Sequence, residues 1–272
     1  MSMMRPCLPP EEDIVGDLER ALAEGQLHLL YQPKFDLFRQ RITGVEALVR
    51  WRHPVYGVVP PVAFIPAAER SGLIGPLGEA VLDQACRQSA AWRRQGLVLG
   101  VAVNVSPLQL SSDSRLEDAV DRSLAASGLP VDALELEVTE SVLMEAAARA
   151  TLDRLIDRGV GIALDDFGTG YSSLAYLRRL RAQTLKIDKS FIDGVPGSLG
   201  DCMLVGSMVR LAHSFGMVVV AEGVESQEQL EALDLVECDL VQGYAVSRPV
   251  PPDDVVALAK RDDLPPPFPI FR

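Results

Sequence analysis

Residues able to do chemistry recur at, or within two positions of, the ends of seven apolar, β-rich runs. Glu46 stands in the run 44–51, Asn104 closes the run 99–104, and Glu137 falls in 133–138. Asp165 and Asp166 end the run 161–165, Lys186 and Asp188 mark the run 184–187, Glu222 follows 217–221, and Gln242 ends 239–242. A solvated strand end accounts for any one of these, but not for seven in succession. Five carboxylates around one mouth (Glu46, Glu137, Asp165, Asp166 and Glu222) could not all ionise at close range without large pKa penalties. One divalent cation relieves that conflict, and two relieve it better. Carboxylate and amide ligands without His or Cys select hard ions, Mg²⁺ or Mn²⁺. Asp165-Asp166 reads as a bridge between two such ions, the standard arrangement for displacement at phosphorus. Lys186 adds a cation near the attacking water or the phosphoryl oxygens, and Arg50 offers a bidentate fork for a phosphate.

The elements that must carry these residues follow from hydrophobic period. With 27–32 added, the β-rich runs number eight, and helical stretches alternate with them. Runs such as 217–221 are almost wholly apolar, as in parallel strands buried on both faces. Eight of them predict an α/β fold of the TIM, (β/α)8, barrel type, whose chemistry sits at the C-terminal ends of the strands. The connection 36–43 is too short for a helical crossover, so the first two strands should form an antiparallel hairpin and modify the barrel. On the second, Glu46, Leu48 and Arg50 take one face, with Val45, Ala47 and Val49 on the other. Helical stripes are formed by Val81, Leu82, Ala85, Cys86 and Trp92, ended by Gly96, and by Ala148, Leu152, Leu155 and Ile156, ended by Gly159. A third comprises Leu204, Val205, Met208, Leu211 and Phe215, ended by Gly216, and Ser226-x-x-Gln229 reads as a capping box. All three stripes are core packing. The organisation expected is a peripheral extension at 1–14, one domain at 15–260, and a Pro-rich tail at 261–272.

Composition narrows the partners. The 272 residues carry 26 basic and 38 acidic side chains, a formal net charge of −12. That balance disfavours a nucleic-acid polymer, whose binding needs Lys and Arg against phosphates, and equally an anionic membrane surface. No apolar run reaches the length of a membrane span, and the first residues lack the apolar region of a signal peptide. Cys7, Cys86, Cys202 and Cys238 are widely spaced, which fits thiols in a reducing cytoplasm. His28, His53 and His213 have no metal-ligand spacing and read as structural. The GxG of Gly168 and Gly170 lacks the Lys-Ser/Thr of a P-loop and reads as a mobile turn beside the metal site.

Read as blocks, the sequence resembles the EAL-domain cyclic-di-GMP phosphodiesterases. Glu46-Ala-Leu-Val-Arg50 is similar to their signature run. So are Tyr31-Gln-Pro33, Asn104-Val-Ser106, Glu137-Val-Thr-Glu140, Asp165 through Leu174, Lys186-Ile-Asp188, Ala221-Glu-Gly-Val-Glu225 and Gln242-Gly-Tyr244. The blocks occur in the family's order over roughly 15–255. The resemblance implies a modified TIM barrel that opens cyclic di-GMP to linear pGpG with two Mg²⁺ or Mn²⁺ ions. It implies Glu46, Asn104, Glu137 and Asp165 as ligands of the first ion, and Asp165 with Asp166 at the second. Lys186 and Glu222 would orient or deprotonate the water, with Glu222 a further candidate ligand and Gln242 supporting that end. Arg50 would hold a phosphate, with Gln32, Leu48, Asp188, Glu225 and Tyr244 as further substrate contacts. Glu140 would anchor the loop 166–173, with Phe167, Gly168, Thr169 and Gly170, which in relatives couples the site to a homodimer interface. Sensory or GGDEF modules, fused or separate, are expected partners.

Four positions depart from the family's usual pattern: Gln183, Glu237, Ala245 and Val246. None removes an expected ligand. Two other readings remain: a silent EAL-type receptor, and proton abstraction of the enolase type by carboxylate-held Mg²⁺ and a lysine base. The second would need a capping domain for which the chain has no room.

Overall fold

A computed structural model describes residues 9–111, 115–168 and 181–260. Helix α1 (Glu11–Glu24) precedes the hairpin β1 (Leu27–Asp36) and β2 (Arg41–His53), and β2 then pairs with a short β3 (Gly57–Val59). Helices α2 (Pro61–Ser71) and α3 (Ile74–Arg94) lead to β4 (Gly100–Asn104). From there strands and helices alternate: α4 (Leu116–Ser127), β5 (Leu134–Thr139), α5 (Ala146–Asp157), β6 (Gly161–Phe167) and β7 (Thr184–Ile187). The chain continues through α6 (Lys189–Ile192), α7 (Leu199–Ser214), β8 (Val218–Ala221), α8 (Gln227–Leu235), β9 (Leu240–Val241) and α9 (Pro252–Ala259).

The sheet order is β1-β9-β8-β7-β6-β5-β4-β2-β3, and pairing of β1 with β2 closes eight strands into a mixed barrel. β2 and β4 through β9 run parallel, while β1 is antiparallel to both neighbours, β2 and β9. All eight predicted strands are present. The hairpin is tighter than expected, with only residues 37–40 between the strands and Gln40 at φ 52. β3 has no counterpart in the sequence reading; three residues are too few to establish a period.

Outward strand residues and inward helix residues form one apolar layer around the barrel. Tyr31 of β1 meets Trp92 of α3 edge to face, with ring centroids 4.8 Å apart. The stripes expected on α3 and α5 are buried, and α5 gives way to Gly159 at φ 94. On α7 the expected stripe packs against the core except at its start: Val205 is buried and Met208, Leu211 and Phe215 are partly buried, beside buried Val209 and Ala212, whereas Leu204 is 43% exposed. A helix rich in apolar residues on several sides gives period alone little to discriminate. Both halves of the Ser226/Gln229 capping box are formed. Among the described residues no helix is long and apolar enough to cross a membrane.

Of the four departures, Ala245 and Val246 pack partly buried against the core, and the other two sit at a strand entrance and in a turn. Gln183 Oε1 accepts from the Ile162 backbone N–H at 2.7 Å, tying the entrance of β7 to β6. Glu237 lies at φ 60, a left-handed conformation that costs a side chain but not glycine. Glu237→Gly is therefore expected to raise stability by about 0.5–1 kcal/mol, read as a higher urea midpoint at unchanged slope.

Candidate active site

Inside a parallel barrel successive inward side chains form layers, usually of branched apolar residues. Here the layers are ionic. Lys186 of β7 is 1% exposed, and its Nζ lies 2.6 Å from Glu222 Oε1 and 2.7 Å from Glu137 Oε2. Asp165 Oδ1 is 3.1 Å away and Glu46 Oε2 is 3.7 Å away. Four of the five carboxylates expected at one mouth therefore surround one ammonium.

The fifth, Asp166, joins through a break in strand alternation. Register between β6 and β7 shifts between Leu164 and Phe167, and Asp166 takes φ 55. Consecutive strand residues ordinarily point to opposite faces, and a bulge with a left-handed residue re-aims them. As a result Asp165, Asp166 and Glu222 each offer an oxygen within 4.8 Å of the others.

The amides complete the rim. Asn104 Nδ2 donates to Glu46 Oε1 at 2.6 Å, which leaves the amide oxygen as its remaining ligand atom. Gln242 Nε2 donates to Glu46 Oε2 at 2.5 Å and to Gln32 Oε1 at 3.1 Å, while its buried Oε1 has no hydrogen-bond partner. A cavity of about 290 Å³ opens over Glu46, Asp165, Lys186, Glu222 and Gln242, rimmed by Gln32, Glu225 and Tyr244. Two glycines shape its edge: a Cβ at Gly223 would overlap the Lys189 stem, and one at Gly243 would overlap the Val224 backbone. A second cavity of about 300 Å³ lies further along β2, lined by Leu48, Arg50 and Asn104.

Crowding of like charge shows in the proton affinities. Burial pushes Glu46 above the usual carboxylate range, with Glu137 adding to it. Burial also raises Asp165, and it raises Asp166 with help from Asp188. Glu222 is pushed up to about 8, by burial first and then by Asp165 and Glu46, against the pull of Lys186. Glu137 alone goes down, to about 2: burial opposes its charge, but Lys186 and Lys34 together outweigh burial. Four carboxylates thus lack compensating positive charge, and one is fully compensated.

The remaining expected residues lie around this centre. Arg50 Nη1 donates to the Val49 carbonyl, and burial lowers its pKa from the ordinary value. Asp188 caps α6, its Oδ1 accepting from Ser190 N–H. Glu225 pairs with Lys189 at 3.0 Å, and Tyr244 carries the Arg248 guanidinium 4.0 Å above its ring. Glu140 Oε2 accepts from Gly168 N–H at 3.4 Å, and Phe167 is buried. Thr169 and Gly170 lie outside the described residues.

Sequence reasoning missed Lys34. It is buried, with its Nζ 2.8 Å from both Glu135 Oε1 and Glu137 Oε1. The signal was available, because Lys34 sits two residues after Gln32 and so on the same, inward face of β1. Glu135 and Thr184, bonded at 2.6 Å, complete that lower layer and were likewise overlooked.

Known proteins share this arrangement of chain and fold. MucR of Pseudomonas aeruginosa, a bifunctional diguanylate cyclase/cyclic di-GMP phosphodiesterase, is 43% identical over 247 residues, which cover 90% of this chain and 36% of MucR. The cyclic di-GMP phosphodiesterase NbdA of the same organism is 45% identical over 238 residues, 86% of this chain and 30% of NbdA. The chain thus spans about a third of the length of these curated relatives. The solved PaMucR phosphodiesterase in complex with c-di-GMP matches with a TM-score of 0.84 at 43% identity, covering 89% of this chain and 99% of that one. The EAL domain of Mycobacterium smegmatis DcpA matches at 0.72 and 34% identity, over 86% of this chain and 96% of that one. The EAL domain model itself matches residues 15–249, nearly the whole barrel, and on that match the chain belongs to the EAL domain family.

Proposed function

We propose that this chain hydrolyses cyclic di-GMP to linear pGpG with two divalent cations, Mg²⁺ or Mn²⁺. The observation that carries the reading is the set of oxygen ligands at the barrel mouth, with four carboxylates pushed up in pKa around one buried lysine. The names of MucR and NbdA, and the c-di-GMP held by the solved PaMucR structure, support the substrate.

The residues present fit such ions. The donors are carboxylate and amide oxygens, the choice of hard cations. Gln242 Oε1 is an orphaned buried acceptor at the same mouth. Glu46, Asn104 and Asp165 would hold one ion, joined by Glu137 once Lys186 gives up its Oε2, with Asp165 and Asp166 at the other. When bound, the ions supply Lewis-acid neutralisation of charge developing at phosphorus and make water more acidic.

The chain's own groups do the rest. Arg50 holds a phosphate oxygen and fixes the diester over the mouth. Glu222 takes the proton of the attacking water, and Lys186 keeps Glu222 in place through their 2.6 Å contact. Gln242 holds Glu46. Gln32, Leu48, Asp188, Glu225 and Tyr244 contact the remainder of the dinucleotide, which is larger than the cavity over the reacting phosphate. Glu140, with Phe167, Gly168, Thr169 and Gly170, links the mouth to a homodimer interface. The setting is cytoplasmic, with sensory or GGDEF modules as partners.

Incubation with cyclic di-GMP and Mg²⁺, Mn²⁺ or EDTA, followed by chromatography, tests the reading. pGpG is expected with either ion and not with EDTA; binding without pGpG in Mn²⁺ would identify a receptor instead. Asp165→Asn and Glu46→Ala should each lower turnover in Mg²⁺ by at least about 100-fold with an unchanged circular dichroism spectrum. Full activity in either would remove that residue from the metal site. Mn²⁺ added to metal-free protein should raise the melting temperature, since it binds a folded cluster absent from the unfolded chain. Asp165→Asn should blunt that rise.

A further inference from the structure

The polar interior does not stop at the mouth. Along the barrel axis charges alternate: Glu135 at the floor, then Lys34, then Glu137, then Lys186, then the carboxylates of the mouth. Glu137 is the shared link, with Oε1 taken by Lys34 at 2.8 Å and Oε2 by Lys186 at 2.7 Å. Its side chain has no exposure, so neither oxygen exchanges its lysine for bulk water. Register explains how Lys34 gets there. It faces Gly44 across the β1–β2 ladder, one inward layer below Gln32 and Glu46. Gly44, Gly100 and Gly161 line the floor cavity with Lys34 and Glu135. Lys34 is not among the residues that line the cavity over Lys186.

We propose that Lys34 is a positioning residue that keeps the Lys186 ammonium at the mouth; this rests on the phosphodiesterase reading above. Two cations share one carboxylate, and they repel each other. With Lys34 in place, the lower oxygen of Glu137 and the charge of Glu135 are already satisfied, so Lys186 has no better position than among Glu46, Asp165 and Glu222. Without it, the fully buried lower oxygen of Glu137 loses its donor, a state that buried charge does not tolerate, and the part-exposed Glu135 keeps only its bond from Thr184. Lys186 is the nearest cation, and it would be drawn down between Glu135 and Glu137. The mouth would then lose the contact that holds Glu222.

That displacement has a signature that loss of packing does not share. Withdrawing a cation from the mouth leaves it more negative, so divalent ions bind as tightly or more tightly while turnover falls. For Lys34→Met, isothermal titration of Mn²⁺ into metal-free protein is expected to give wild-type or up to about tenfold tighter binding. The same variant should show kcat lowered by about tenfold or more, with KM for cyclic di-GMP within about twofold. Lys34→Met with Glu135→Gln removes the attraction at the floor as well, keeps the lower layer neutral, and should recover kcat several-fold. Wild-type kcat in Lys34→Met overturns the proposal. So does a joint fall of kcat and Mn²⁺ affinity with no recovery in the double variant, which would mark Lys34 as packing alone. Should Lys34→Met not fold, the double variant decides: near-wild-type kcat supports the proposal, and kcat lowered by tenfold or more overturns it. Absence of pGpG from the wild-type protein would instead overturn the phosphodiesterase reading, and the Mn²⁺ titration would still compare the two proteins.

Discussion

A lysine ammonium enclosed by carboxylates inside a barrel is the constraint on which the rest of this molecule depends. Taking one charge out of water costs several kcal/mol even after relaxation, and only close opposite charge with good geometry returns it. Lys186 has three carboxylate oxygens within 3.1 Å and a fourth within 3.7 Å. Each comes from a different strand or strand end, so closure of the barrel and neutralisation of its interior are one event. The apolar outer layer supplies the folding free energy, and the ionic interior sets the register in which it is used. A slip of one residue in β5 or β7 would turn Glu137 or Lys186 outward and leave its partners buried without compensation.

The same constraint explains where the backbone departs from the ordinary. A regular β6 would deliver only one of two neighbouring aspartates to the mouth. The shift after Leu164, with Asp166 at φ 55, delivers both, at the expense of a ladder interruption and a left-handed residue. Gly223 and Gly243 act at the other side of the cavity, where the chain passes too close to Lys189 and Val224 for any side chain. Departures in the ladder and in side-chain size fall where polar groups converge, and a second register shift, after Lys34 in the β1–β2 ladder, lies beside the lower ionic layer.

Much of this was legible in the sequence because two periods carry it. Eight apolar runs gave the strands, and the short 36–43 link gave the antiparallel hairpin. Polar residues closing apolar runs gave Glu46, Asn104, Asp165, Glu222 and Gln242 their common location. What escaped did so for physical reasons. Lys34 lies beyond the run 27–32 that period gave for β1, which extends to Asp36, and its meaning comes from Glu135 and Glu137 about a hundred positions later. Sequence spacing carries no information about charge pairing across a barrel. On α7 only Leu204 of the expected stripe was misplaced, because Leu204 and Val205 are equally apolar and only the neighbouring strands decide between them. The Asp165-Asp166 bulge was invisible for a related reason: a bulge is a property of the pair of strands.

The arithmetic of charge links the floor of the barrel to its mouth. Glu135, Glu137, Glu46, Asp165, Asp166 and Glu222, fully ionised against Lys34 and Lys186, would leave four uncompensated negative charges, the amount that two divalent ions would cancel. Burial and the like charge of neighbouring carboxylates raise the proton affinities of Glu46, Asp165, Asp166 and Glu222. Only Glu137, held between two lysines, escapes that fate. The overall −12 is therefore no guide to the ligand. On the proposed reading, a dianionic substrate would meet a mouth whose field is set locally, by two cations, Arg50 and Lys186.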